Sequence, residues 1–198
     1  TYENDILNTC PNAYFMTFGS TWVDGYIPKE KEYRVSNLVG NKHITYGHKL
    51  RKIVHENQSN ITMPKDFYIS KFGGPKPKPF NKILGDSKTP LFDSQFHICI
   101  ENTSQTNLFT EKLIDCLITK TVPIFWGCDN ISDFFDTNGF FIIKNVDDVI
   151  EVCNNIDETT YINMLPYIEN NYKESMKYAN LSGNFKDKLN TILKNGNF

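Results

Sequence analysis

No apolar run in this 198-residue chain approaches the roughly 18–20 residues that a membrane-spanning helix needs. Gly-x-Gly-x-x-Gly and Gly-x-x-x-x-Gly-Lys-Ser/Thr are both missing, so neither a dinucleotide fingerprint nor a P-loop is indicated. Asp-x-Asp is missing too, and His43, His48, His55 and His97 are scattered rather than grouped as metal ligands. His97 lies inside an apolar run and reads as a structural histidine. The five cysteines (Cys10, Cys99, Cys116, Cys128, Cys153) are an odd number with no Cys-x-x-Cys. Cys99 and Cys116 sit among apolar residues, where cysteine behaves as a small buried hydrophobe, so a reducing compartment is expected. Charge of one sign is also lacking: 21 basic and 23 acidic residues leave a net −2, with no global field to draw in nucleic acid or anionic lipid. The chain starts at Thr1 without a basic n-region or apolar h-region; a trimmed N-terminus and a piece of a longer protein both stay open.

What is present suits one hydrophobic core: 39% hydrophobic residues, with 15 Phe and 10 Tyr. Asn occurs 23 times, so sequons such as those at Asn60, Asn102, Asn130 and Asn180 are readily produced by chance. Runs rich in β-branched and aromatic residues alternate with segments of helical period, the pattern of an α/β sheet with crossover helices. Strands are expected at residues 14–18, 33–39, 66–69, 96–100, 122–125 and 140–143, and helices at 47–57, 110–119, 146–156, 158–179 and 186–193. The last of these helices is a candidate to peel away from the sheet. The Gly73-Gly74-Pro75-Lys76-Pro77-Lys78-Pro79 stretch must be loop, either plain surface or a lid near a ligand.

Chemistry concentrates in residues 96–127, a buried strand, a polar loop, an apolar-faced helix and a second buried strand. Ligands of open α/β sheets collect beyond the carboxyl ends of strands, where the following helix aims its N-terminus. Glu101, Asn102, Thr103, Ser104, Thr110, Glu111 and Lys112 fall at that spot. Free backbone N–H groups and the helix dipole favour an anion there. Lys112 opposes the dipole, which a bound phosphate would explain, and Glu111 suits the hydroxyls of a ribose. An ordinary polar loop with a good helix-starting Glu accounts for the same residues.

Glu101-Asn102-Thr103, seven residues, Glu111-Lys112, a helix and then Val122-Pro123-Ile124-Phe125-Trp126-Gly127 resembles glycosyltransferase family 10, the α-1,3/4-fucosyltransferases. Val35-Ser36 upstream, Gly47-His48-x-Leu50-Arg51, Asn130-Ile131-x-x-Phe134-Phe135 and Gly139-Phe140 resemble it as well, over roughly residues 33–160. The resemblance implies a Rossmann-like, mostly parallel sheet flanked by helices, like the C-terminal half of a GT-B glycosyltransferase. It divides the chain into an N-terminal segment or acceptor-side remnant (1–32), a donor domain (33–160) and C-terminal helices (161–198). By the same resemblance Lys112 contacts the donor diphosphate, and Glu111 holds the ribose. Asn102 and Thr103 belong to the turn facing phosphates and sugar, Glu101 braces that turn, and Thr110 opens the Thr-Glu-Lys motif. Arg51 is the nearest candidate for the family's diphosphate arginine, with Lys49 and His48 as alternatives.

Two departures stand out: Leu108 replaces a tyrosine common in the family, and the disulfide-forming Cys pairs of animal Golgi members are missing. Both point to a bacterial or viral-type member and a cytoplasmic location, the Golgi lumen being the alternative if an anchor was trimmed. The implied reaction inverts the anomeric carbon of GDP-fucose in one displacement onto a glycan hydroxyl, without metal, lysine and arginine stabilising the leaving diphosphate. The family's general base lies in an acceptor-side domain. Glu3, Asp5, Asp24 and Glu30 sit in no motif that would carry the role, so none is nominated. Three readings remain: a donor half completed by an acceptor domain or partner chain, a nucleotide-sugar binding module without transfer activity, and a transferase using another nucleotide sugar.

Overall fold

The computed structural model describes residues 1–23, 25–27 and 29–195; Asp24 lies outside the described residues, as do residues 196–198 of the expected C-terminal helical region. Among the described residues six strands form one sheet: β1 (Glu32–Val39), β2 (Lys65–Ser70), β3 (Lys82–Leu84), β4 (Ser94–Ile100), β5 (Val122–Trp126) and β6 (Phe141–Ile142). Their order is β3-β2-β1-β4-β5-β6 and all pairs are parallel. Parallel neighbours need crossover connections, which cover both faces of the sheet. That is why β4 and β5 read as near-continuous apolar runs.

The helices are α1 (Asn4–Thr9), α2 (Tyr46–Glu56), α3 (Glu111–Ile118), α4 (Val146–Asn155), α5 (Glu158–Ser175) and α6 (Leu181–Asn195). Local chemistry fixes their starts. Thr110 caps α3, Asn145 accepts from the Asp147 and Asp148 N–H groups at α4, and Asp157 accepts from those of Thr159 and Thr160 at α5. One face of the sheet packs Val35, Phe67, Phe96, Ile98 and Ile124 against Leu50 and Val54 of α2 and Val149 and Cys153 of α4. The opposite face packs Tyr68, Cys99 and Phe125 against Leu113, Ile114 and Leu117 of α3, with Val23 of the N-terminal segment. β1 therefore sends its helix to one face while β4, beside it, sends α3 to the other. A crevice opens beyond their carboxyl ends.

The expected sheet and its central strands are observed, with corrections at the edges. Residues 14–18 form no strand, because no neighbour offers them a ladder. Their rings pack on the surface instead, Phe15 stacked on Phe134 and Phe18 edge-on to Tyr2. The unforeseen β3 is three residues long, too short for a periodic signal. The expected strand at 140–143 pairs only over Phe141–Ile142. The expected helix at 158–179 ends at Ser175, and the last one begins at Leu181 rather than 186. It leaves Phe185, Leu189 and Leu193 exposed. Among the described residues no helix is long and apolar enough to cross a membrane.

Asn171 ties α5 to the turn before β6. Fully buried, it accepts from the Asp136 N–H at 2.8 Å and donates to the Asp136 carbonyl at 2.8 Å. Asn171→Ala strands both backbone groups, and urea unfolding should report a loss of about 2–3 kcal/mol.

Candidate functional site

The crevice is a cavity of about 280 Å³ reached by Lys42, His48, Arg51, Lys88 and Lys112, with His97 and Asp115 also on its wall. Its geometry starts from a contact that only glycine permits. The Gly47 N–H donates to the Asn102 carbonyl at 3.0 Å. A Cβ at position 47 would stand 1.8 Å from the Glu101 carbonyl oxygen. The first turn of α2 thus lies directly on the turn that follows β4. One helical turn later, Arg51 donates from Nη1 to the Ile100 carbonyl and from Nη2 to Asn102 Oδ1, each at 2.6 Å. Two of its five N–H donors are spent in bracing that turn, and burial pulls the guanidinium pKa down, partly offset by Glu101.

Glu101 is 1% exposed. Its Oε1 accepts from the Thr110 backbone N–H at 2.8 Å, and the Thr110 hydroxyl reaches both carboxylate oxygens. Lys112 Nζ stands 3.3 Å from Glu101 Oε2, 3.2 Å from Glu111 Oε1 and 3.0 Å from Thr110 Oγ1. Burial works against the Lys112 cation, but the Glu101 and Glu111 charges outweigh it and raise its pKa. Burial would likewise raise the Glu111 carboxyl, yet Lys112 and Lys88 hold it below the ordinary value. Lys88, 3.8 Å from Glu111, extends the ion chain and stacks over the Trp22 ring.

The residues singled out in the sequence have different parts to play. Arg51 and Lys112 line the cavity; Asn102, bonded to Arg51, and Glu111, paired with Lys112, stand behind them and are not on its wall, while Glu101 and Thr110 clamp the loop ends. Thr103 is half-buried and makes no side-chain hydrogen bond among the described residues. The position of Lys112 against the dipole is already compensated by two carboxylates, so it needs no phosphate to explain it. His48 closes a capping box: Thr45 N–H donates to Nδ1 at 3.3 Å, and Thr45 Oγ1, which accepts from the His48 N–H, lies 2.7 Å from Nδ1. Nδ1 is therefore an acceptor and the ring proton sits on Nε2. Burial, then the charges of Arg51, Lys42 and Lys112, keep His48 neutral. Of the Gly-Pro-Lys loop, neither Pro75 nor Pro79 reaches the cavity; Phe72, just before it, does. Lys88 sits in a stretch with no pattern to mark it. Asp115 had a signal: four residues after Glu111, it is a carboxylate inside the otherwise apolar LIDCLI. Among the described residues no three His, Cys, Asp or Glu side chains group so as to hold a metal ion.

A doubly wound parallel sheet with helix starts and cations meeting at its switch point belongs to the α/β class whose ligands sit there. Residues 31–186 match the family described as glycosyltransferase family 10 (fucosyltransferase) C-term, and the chain belongs to that family. It is 30% identical over 113 residues to the alpha-(1,3)-fucosyltransferase FucT of Helicobacter pylori, a span covering 53% of this chain and 24% of that protein. Among solved structures it is similar to an alpha1,3-fucosyltransferase crystallised with GDP-fucose, at 22% identity and a TM-score of 0.55, covering 85% of this chain and 49% of that one. The same comparison with an alpha1,3-fucosyltransferase crystallised with GDP gives 22% identity and a TM-score of 0.53, over 83% and 48% of the two chains. The chain spans about a quarter of the curated relative and about half of the solved ones.

Gly47→Ala forces α2 off the Asn102 turn, and thermal unfolding should show a loss well beyond the propensity gain of Ala over Gly, on the order of 2 kcal/mol or more. Asp115 is 1% exposed; its Oδ1 accepts from Thr21 Oγ1 at 2.8 Å and the Trp22 N–H at 2.9 Å, while Oδ2 has no partner among the described residues. Burial pushes this carboxyl from 3.8 up to about 6. Between those values the folded chain holds a proton that the unfolded chain has released, so stability drains as pH rises and the loss is complete above the folded value. Asp115→Asn should thus stabilise the chain, with a gain that grows by on the order of 2 kcal/mol between pH 4.5 and 7.5 in urea titrations.

Proposed function

We propose that this chain is the donor-binding half of a fucosyltransferase-like glycosyltransferase, taking GDP-fucose and passing fucose to a glycan hydroxyl. The observation that carries the reading is the convergence of Arg51, Lys112 and the neutral His48 N–H on one cavity at the switch point, in a chain of this family. Arg51 and Lys112 hold the diphosphate, Glu111 accepts from the ribose hydroxyls, and Asn102 faces phosphates and sugar. Glu101, Thr103 and Thr110 shape the turn that presents them. Transfer proceeds with inversion and without metal, the leaving diphosphate being stabilised by Arg51 and Lys112 as fixed cations. The general base comes from an acceptor-side domain or partner chain that also binds the glycan. A cytoplasmic location goes with this reading.

Calorimetry with GDP, GDP-fucose, UDP and ADP tests it. GDP and GDP-fucose should bind selectively, and Lys112→Ala should weaken them by about tenfold or more, the loss expected of a charge-assisted contact. Absence of GDP-selective binding would sink the proposal. Transfer or hydrolysis of labelled fucose by the chain, alone or with an acceptor domain added, separates an enzyme from a binding module.

A further inference from the structure

The wall of the cavity carries a group that the family motif does not touch. His97 lies in the middle of β4, paired in register with Ser36 of β1 across the switch point itself. It is 7% exposed and lines the cavity, with the Phe92 ring 5.4 Å away at 55°. Ser36 Oγ lies 2.6 Å from the Leu91 carbonyl, to which it must donate, because a carbonyl only accepts. Its single hydrogen is then committed. The 2.7 Å contact between Ser36 Oγ and His97 Nδ1 needs a proton from the ring. His97 is therefore the Nδ1–H tautomer, and Nε2 keeps a lone pair that no side chain or backbone group among the described residues fills.

Burial, with the charge of Lys88 beside it, pushes the ring down to about 3, so protonation does not fill that lone pair at working pH. Nε2 is not among the fully buried unpaired atoms of the described residues; it opens onto the cavity, where an acceptor takes its donor from solvent or from a ligand. The two histidines of the cavity are thus opposite tautomers: His48, among the cations, presents N–H, while His97 presents an acceptor between the apolar side chains of Leu38, Leu91 and Phe92. A ligand matched to both ends is anionic at one and bears an N–H or O–H on a flat or apolar body at the other.

We infer that His97 reads the nucleoside of the bound donor, its Nε2 accepting a hydrogen bond from an N–H of the base or an O–H of the ribose. This rests on the cavity being the nucleoside diphosphate site proposed above. Unlike Lys112 or Arg51, His97 contributes selectivity among nucleosides rather than phosphate affinity.

The test is calorimetry on the whole chain with GDP and four analogues: inosine diphosphate (no 2-amino group), 1-methylguanosine diphosphate (no N1–H), and 2′-deoxy- and 3′-deoxy-GDP. Wild type should bind one of the four about tenfold more weakly than GDP, which identifies the base or the ribose as the source. His97→Leu should bind GDP about tenfold more weakly and no longer distinguish that analogue. His97→Gln, whose amide oxygen restores an acceptor, should recover most of the difference. Should His97→Leu not fold, the analogue series on wild type and on His97→Gln decides, and loss of discrimination in the Gln variant counts against the inference. Wild type that binds GDP and all four analogues alike overturns it, as does a folded His97→Leu with unchanged GDP affinity. Wild type that binds no GDP overturns the nucleotide reading itself, and this inference with it.

Discussion

A buried carboxylate holds the site together. Glu101 directly follows β4 at 1% exposure, where an unpaired charge would be too costly to keep. The Thr110 N–H and hydroxyl and the Lys112 ammonium satisfy it, and all three lie across an eight-residue loop. Closing that loop onto one carboxylate fixes where α3 starts and which way its first turn faces. It also leaves the backbone of residues 101–102 on the other side of the strand end, where Gly47 and Arg51 of α2 dock. Gly127 is part of the same constraint, since a Cβ there would stand 2.7 Å from Glu101 Cγ. The helices on opposite faces of the sheet are thus referenced to one side chain, and removing one partner of such a buried pair typically costs about 3–5 kcal/mol.

The N-terminal segment joins this arrangement through a second buried carboxylate. Thr21 and Trp22 bind Asp115 Oδ1, and Trp22 spreads over Lys88 at the cavity rim. At the other end of the sheet, Lys31 is buried among the Phe92 carbonyl, Tyr26 and Thr121, and burial lowers its pKa to about 7. The described residues between 19 and 31 are therefore tied to α3 at one end, through Asp115, and to the start of β5 at the other, through Thr121.

The centre of the fold was legible because burial on both faces writes itself as uninterrupted apolar runs. β1, β2, β4 and β5, and the helices beginning near 110, 146 and 158, are all visible in the residues alone. Edge elements were not: β3 pairs on one side only, and the aromatics at 14–18 mimic a strand because surface ring packing uses the same residue types. At the site, the string from Glu101 to Lys112 announced itself, yet its division of labour did not. A sequence shows that Glu101, Glu111 and Lys112 are neighbours, not that Lys112 is shared between two carboxylates. His97 reads as a buried structural residue because its tautomer depends on where Ser36 sends its hydrogen, a contact 61 positions away.

Charge accounting at the cavity limits how such a site can bind. Lys42, Arg51, Lys88 and Lys112 face or border it, but Glu101, Glu111 and Asp115 stand among them, so the region is only weakly positive at pH 7. A phosphate arriving at Lys112 must share that ammonium with two carboxylates already within 3.3 Å. In the proposed donor site bulk attraction is therefore a small part of the binding energy, and the proposal places it on directional donors that need no reorganisation: the guanidinium fork held by Ile100 and Asn102, the capped His48 ring and the clamped start of α3. Groups already fixed by the protein lose little entropy when the ligand arrives. The acidic neighbours that weaken the field are what hold these donors in position.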